Sequence, residues 1–316
     1  MHSRYDTLAS AKQLEQIVRA RKAMGECGTE AMQLHKVAKI FDIMSFEDCD
    51  TKGSRKLCVE DEKNGTPVEL VVRVSGVLAE LELPPRKNRE PNERIFLRQH
   101  VTLTGHGAPS FTTAIEQLEL LTQDFHRFFE PNAWKGWSPT THDQNPTLDA
   151  NSRFYTQPRS VPGAVDVPFT KDEDPRGFLE GGKDNNFIHT IDNVVEYWEY
   201  STEKNRYIEV DPRSFMEGDM VEAHLSFLVI RLSAKRQLNR ALSPASVDNH
   251  RMLVVLRGLT RLARNASPIE DKDLAFKSFN NTKRRKLHEK LADDEAMEGG
   301  ISSAMKKLHF GTFDKA

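Results

Sequence analysis

Residues 221–229 alternate apolar and polar side chains in the way that a β-strand requires. The apolar side chains share one face: Val221, Ala223, Leu225, Phe227 and Val229. Glu222, His224 and Ser226 share the other. Because successive side chains of a strand point to opposite faces, the pattern predicts a strand buried on one face. We expect Phe227 in the core.

A second alternating segment covers residues 251–262. Met252, Val254 and Leu256 fall on one face, and the alternation places the basic side chains together on the other: Arg251, Arg257 and Arg261. Gly258 indicates a bulge or a close approach of backbone. Residues 233–249 join the two strands and are long for a hairpin connection.

Further segments complete a strand-rich pattern. Residues 68–83 predict a long strand whose apolar phase shifts at Gly76, as at a bulge. Residues 95–104 predict another strand, and residues 194–200 and 207–210 predict a hairpin whose aromatic side chains pack rather than stack on bases. The segment 131–175 holds seven of the fifteen prolines and predicts an irregular excursion.

Helical spacing is clearest in residues 113–129. A capping-box pattern at Thr113–Glu116 precedes a stripe of apolar residues, so we expect an amphipathic helix that ends before Pro131. Two short helices are predicted near the N-terminus, from Ser10 and from Thr29.

Charge is distributed unevenly along the chain. The 316 residues carry a net charge of −2, whereas residues 223–268 hold eight basic residues and one acid, Asp248. A local basic segment in an acidic chain can attract a phosphate backbone. Solvated strand edges and loop charges, which discourage edge-to-edge association, are the more common explanation of such a segment.

Recognisable chemistry is sparse. Cys27, Cys49 and Cys58 show no metal-binding or disulfide spacing, and no nucleotide-binding or hydrolase motif is present. We therefore expect no cofactor and no metal, and we favour a protein that is not an enzyme.

Without an apolar leader or a membrane-length run, the chain is predicted to be intracellular, in the nucleus or cytoplasm. A short basic block is a candidate nuclear-localisation signal: Lys283, Arg284, Arg285 and Lys286.

Two resemblances follow from these residues. Residues 185–264, with Asp211-Pro212, the Gly218-Asp219 turn and the strand at Leu253–Leu259, resemble uncharacterised proteins of mushroom-forming (basidiomycete) fungi. The turn, the long alternating strand, the connection and the final strand also resemble the closing strands of OB-fold single-stranded-DNA-binding proteins. The second resemblance implies a small barrel that binds single strands.

The predicted fold class is α+β, a mainly antiparallel β-sheet or partly open, OB-like barrel with one packed amphipathic helix. We expect a helical N-terminal arm (1–52), a β-rich domain (53–268) with an irregular Pro-rich excursion (131–185), and a loose, charged C-terminal tail (269–316).

The predicted function is binding of single-stranded DNA or RNA by a basic strand pair. The candidate binding residues are Arg231, Lys235, Arg236, Arg240, Arg251, Arg257 and Arg261. The alternative is an interaction module that docks the same basic surface on an acidic protein partner, or on the chain's own acidic half.

Overall fold

The computed structural model describes residues 5–23, 32–33, 44–48, 54–60, 65–85, 91–125, 128–129, 133–161, 163–201, 206–232 and 249–264. The predicted tail (269–316), with its basic block, lies outside these residues. Within these residues the α-helices are α1 (Thr7–Ala23) and α2 (Pro109–Phe125). Short 3-10 helices cover Pro91–Phe96, Pro158–Ser160, Glu180–Gly182, Ile191–Asn193 and Pro212–Ser214.

Thirteen strands form one sheet in this part of the chain. They are β1 (Met32–Gln33), β2 (Met44–Asp48), β3 (Ser54–Glu60), β4 (Pro67–Glu69), β5 (Val72–Glu82), β6 (Arg98–Thr104), β7 (Trp134–Lys135), β8 (Thr140–His142), β9 (Asn145–Arg153), β10 (Glu196–Ser201), β11 (Arg206–Glu209), β12 (Met220–Leu232) and β13 (Asn249–Ala263).

Five of these strands close into a ring. β5 pairs with β6, β6 with β9, β9 with β13, β13 with β12, and β12 returns to β5. Every pair is antiparallel except β9 and β13, which meet in parallel at Asn151 and Val255. A five-stranded, partly open barrel of this kind is the OB-type architecture. The predicted α+β class with a mainly antiparallel barrel is confirmed.

The interior of the barrel is apolar. Phe227 and Val221 are fully buried there, together with Val72, Leu103, Leu148 and Leu256. The predicted burial of Phe227 is therefore confirmed. The sequence predicted that only one face of β12 is buried. Its other face is buried as well, through Glu222, His224 and Ser226.

The bulge on β5 lies beyond the glycine that the sequence pattern indicated. Pairing with β6 shifts between Leu78 and Glu80, so the extra residue is Ala79 and not Gly76. Gly76 has a different role: a Cβ there would lie 3.0 Å from the Phe111 ring of α2. The glycine lets the helix approach the strand.

Helix α2 begins one turn earlier than the sequence predicted. Pro109 stands at its first position, where the missing N–H of proline costs no helical hydrogen bond. The buried side of α2 contacts the barrel core through Phe111, Leu118, Leu121 and Phe125. The helix was therefore predicted, at 113–129, four residues closer to the C-terminus than it is observed.

The N-terminal segment contains both helix and strand. Helix α1 starts at Thr7, where the Asp6 Oδ1 atom accepts a hydrogen bond from the Ala9 N–H at 3.0 Å, rather than at Ser10. Residues 32–33, predicted as helix, form β1 and pair in parallel with Val72 and Arg73. β6 begins its pairing with β5 only at Val77, so β1 satisfies the edge that β6 leaves open.

The Pro-rich excursion is partly regular. β7, β8 and β9 all lie within residues 131–185, and β9 is a wall of the barrel. Residues after β9 form a second small core from Phe154, Tyr155 and Leu179. The hairpin of β10 and β11 is confirmed, with Trp198 and Tyr207 packed against each other. No helix in the described ranges is long and apolar enough to cross a membrane.

Candidate nucleic-acid interface

The outer face of β6, β9 and β13 carries a group of basic side chains. In the register of β6 and β9, Arg98 lies opposite Arg153 and His100 opposite Asn151. Asn151 is level with Val255 of β13, and Arg251 precedes Val255 by four residues on the same strand face. We call this surface, with Arg98, Arg153 and Arg251, the basic face.

The three arginines are close enough to interact electrostatically. Burial, and the like charges of Arg153 and Arg251, lower the pKa of the Arg98 guanidinium. The Arg98 Nη1 atom donates a 2.6 Å hydrogen bond to Asn151 Oδ1, which holds the side chain across the face. Arg153 and Arg251 are exposed. None of the three forms an ion pair with any residue that the structure describes, so their charges are available to an anion.

One further cation borders the basic face. Lys135 of β7 is exposed and lies beside Arg251 in the parallel pairing of β7 and β13. Arg231 near the end of β12 is also exposed, but it lies opposite His250, so its side chain is on the other face of the sheet from Arg251. Leu253 and Val255, half-buried between Arg251 and Arg153, make the middle of the basic face partly apolar.

Acids on the outer face include Asp149 of β9 and the exposed Glu80 and Glu82 of β5, which lie opposite Thr102 and His100 of β6. Asp149 is already engaged. Its Oδ1 atom accepts a 2.7 Å hydrogen bond from Thr102 Oγ1, and its Oδ2 atom accepts one of 2.7 Å from Thr140 Oγ1. The interaction with His100, 3.7 Å away, and these hydroxyl groups lower the pKa of Asp149 to about 2, against the effect of burial. The carboxylate stays ionised at neutral pH and offsets part of the positive charge.

Arg257, a predicted binding residue, is buried. Its Nε and Nη2 atoms donate to Glu69 Oε1 at 3.2 and 2.6 Å, Nε also to Ser226 Oγ at 3.0 Å, and Nη1 to the Asp192 carbonyl at 2.5 Å. The side chain is 4% exposed, so it is not presented to a ligand.

Arg261 is buried too, on a different face from Arg251. Its Nη2 atom donates to Glu199, and Nη1 donates to the Ser214 carbonyl at 2.6 Å. The expected single row of arginines fails because the pairing of β13 with β12 shifts between His224 and Leu225. This shift inverts the side-chain phase beyond Leu256, which brings Leu259 into the core.

The remaining candidates divide as follows. Arg231 and Arg251 are exposed at neighbouring strand ends, whereas Lys235, Arg236 and Arg240 lie outside the described residues. The structure thus places one predicted residue, Arg251, on the basic face, while Arg231 is exposed on the other face of the sheet. Arg257 and Arg261, both buried, form ion pairs with Glu69 and Glu199 of the same chain.

The sequence analysis did not predict three cations on or beside the basic face: Arg98, Arg153 and Lys135. Residues 147–153 do alternate, with Leu148, Ala150 and Ser152 inward and Asp149, Asn151 and Arg153 outward. The prolines around that segment obscured a recognisable strand signal. Among the described residues, no group of three or more His, Cys, Asp or Glu side chains is arranged to hold a metal ion.

Comparisons with known proteins return solved structures alone. No family model and no curated protein matches the chain, so the resemblance to fungal proteins stays a prediction. One similar structure is a single-stranded DNA-binding protein encoded by bacteriophage T7, with 10% identity and a TM-score of 0.31; the match covers 67% of this chain and 97% of that one. Another is the single-stranded DNA-binding protein from bacteriophage Enc34, truncated at its C-terminus, with 12% identity and a TM-score of 0.24, covering 72% and 98%.

Proposed function

We propose that this protein binds single-stranded nucleic acid along the basic face of β6, β9 and β13. The observation that carries the proposal is the group of three neighbouring arginines without an acidic partner among the described residues: Arg98, Arg153 and Arg251. Uncompensated guanidinium groups held close together repel one another, and a phosphate backbone relieves that repulsion.

The dimensions of the face suit an extended strand. Arg251 lies four residues before the level of Asn151, and Arg153 lies two residues after it. At ~3.3 Å per residue the backbone positions of the two arginines are at most about 20 Å apart along the strands, and both guanidinium groups are near enough to Arg98 to affect its pKa. Arginine is suited to this contact because its planar guanidinium can bind phosphate oxygens in pairs.

The sequences that connect the strands of the barrel contain basic residues in two places. The sequence between β5 and β6 contains Arg86, Lys87 and Arg89, and the sequence between β12 and β13 contains Lys235, Arg236 and Arg240. In OB-type barrels, the second and third strands and these two connections form the surface that binds oligonucleotides. Strands β6 and β9 of the basic face are the second and third strands of this barrel.

The experiment is a titration of the purified chain against labelled single-stranded DNA and RNA at low salt. The test variant is Arg153→Glu/Arg251→Glu, which reverses two exposed charges of the basic face. The matched control is Lys12→Glu/Arg19→Glu, which makes the same change of net charge at exposed positions of α1. We expect the test variant to lose binding and the control to retain most of it.

Two results would reject the proposal. One is the absence of binding by the wild-type chain at ~50 mM salt, where phosphate contacts are strong. The other is equal weakening by test and control variants, which would mean that net charge alone governs the affinity. Circular dichroism of both variants shows whether they remain folded.

A further inference from the structure

We infer that Phe96 is a platform on which one base of the bound strand stacks. Phe96 is the last residue of the 3-10 helix Pro91–Phe96 and lies two residues before Arg98 of the basic face. The inference rests on the proposed function and adds the contact that selects single strands over duplexes.

The side chain of Phe96 is 56% exposed, although its neighbours on both sides are half-buried. Leu97 packs against the second core, beside Phe154 and Tyr155. The Leu97 carbonyl accepts a 3.2 Å hydrogen bond from the Phe154 N–H, which fixes the backbone next to Arg153. The phenyl ring is therefore presented to solvent from an anchored backbone.

Arg94 anchors the other end of this segment. Its Nη1 atom donates to the Gly182 carbonyl and to Asp184 Oδ2, both at 2.7 Å, and its guanidinium lies 4.8 Å from the centre of the Phe187 ring. An aromatic side chain carried on an anchored backbone loses less conformational entropy on contact with a ligand than one on a mobile loop. This favours a recognition surface over an incidental exposed side chain.

The short distance between Phe96 and Arg98 determines which part of a bound strand meets the phenyl ring. Residues 96 and 98 are within about 7 Å along the chain, so a phosphate on Arg98 or Arg153 places the attached base near the phenyl ring. The bases of a duplex are stacked on each other and unavailable, whereas those of a single strand can stack on an aromatic side chain. Phe96 therefore discriminates strandedness, and the arginines supply contacts that either form could use.

The experiment compares three probes of about twelve nucleotides, within the site sizes of such barrels: oligothymidine, an abasic strand of the same length, and a duplex. Phe96→Ala should weaken oligothymidine binding by about 5- to 150-fold, the range of one lost base stack. It should leave binding of the abasic strand and of the duplex unchanged. Phe96→Trp should restore or strengthen oligothymidine binding, because the larger ring keeps the platform.

Leu120→Ala is the matched control, since Leu120 is 48% exposed on α2. It should change none of the three affinities. The inference is overturned if Phe96→Ala keeps wild-type affinity for oligothymidine, or weakens the abasic strand equally. Failure of the proposed function gives a different result, because the wild-type chain would then bind neither oligothymidine nor the abasic strand.

Discussion

Arg251 and Arg257 are six residues apart on β13 and have opposite environments. Arg251 is exposed and lacks an acidic partner among the described residues, whereas Arg257 is 4% exposed and shares the Glu69 carboxylate with Lys56. A buried guanidinium keeps its charge by satisfying an equally buried acid. The arginine at position 257 therefore stabilises the fold, whereas the arginine at position 251 is available for binding.

The stability of the two arginine variants should separate these roles. Arg257→Ala leaves Glu69 as a buried charge with a weaker partner and should cost about 3 kcal/mol or more. Arg251→Ala should stay within ~0.5 kcal/mol of wild type, the usual range for surface changes. Urea unfolding measures both. Adding Glu69→Leu to Arg257→Ala should recover part of the loss; equal effects of the two single variants would contradict the assignment.

Glu196 on β10 is a buried carboxyl group whose effect on stability should depend on pH. Both of its carboxylate oxygens are buried without a hydrogen-bond partner among the described residues, and burial, followed by the charge of Glu209, raises its pKa from 4.5 to about 8. The folded chain holds a proton there that the unfolded chain releases above pH ~4.5. This group therefore makes the folded state less stable as pH rises from about 4.5 to about 8.

Glu196→Gln removes that proton linkage. The variant should gain stability relative to wild type as pH rises through this window, with the difference largest near pH 8 and smallest near pH 4.5. Unfolding free energies measured in urea at several pH values give the comparison. Parallel curves for the two proteins would mean that the Glu196 carboxyl titrates normally in the folded state.

At the scale of elements, the alternation of apolar and polar residues identified the strands. Bulges in the strand pairing then changed which side chains face the core. The sequence pattern was sufficient to place β5, β12 and β13 and the hairpin of β10 and β11, because each has several apolar residues in phase. It placed Arg261 on the wrong face because a shift in pairing depends on neighbouring strands. It missed Arg153 because prolines surround a strand that long-range pairing with β6 and β13 stabilises.

The contact between α2 and the barrel gives a prediction for an element. A Cβ at Gly105, which follows β6, would lie 2.4 Å from the Phe111 Cβ atom. That atom is fixed to the helix backbone and cannot rotate away, so Gly105→Ala should displace α2 and cost about 1–3 kcal/mol. Phe111→Ala retains the Cβ and would not relieve the clash. A stability change within ~0.5 kcal/mol would show that the helix moves freely on the barrel.

For the whole molecule, the net charge of −2 conceals a separation of charges. Arg257 and Arg261 are used inside the fold, against Glu69 and Glu199, while Arg98, Arg153 and Arg251 form a local positive surface. A local field of this kind steers an anionic ligand to one side of an otherwise acidic protein. The acidic remainder disfavours binding elsewhere on the molecule.

Salt dependence measures how many of these cations contact phosphate. Binding of a single strand loses ~0.7 log units of affinity per log unit of salt for each phosphate neutralised. If Arg98, Arg153, Arg251 and Lys135 each contact one phosphate, they contribute a slope of about −2.8. Changing any one of the three arginines to Ala should reduce the slope by about 0.7. Arg213→Ala is the control, because Arg213 is exposed but paired with Asp211 at the surface and should leave the slope unchanged. Slopes that stay parallel to wild type in all three variants would show that the strand binds on another surface.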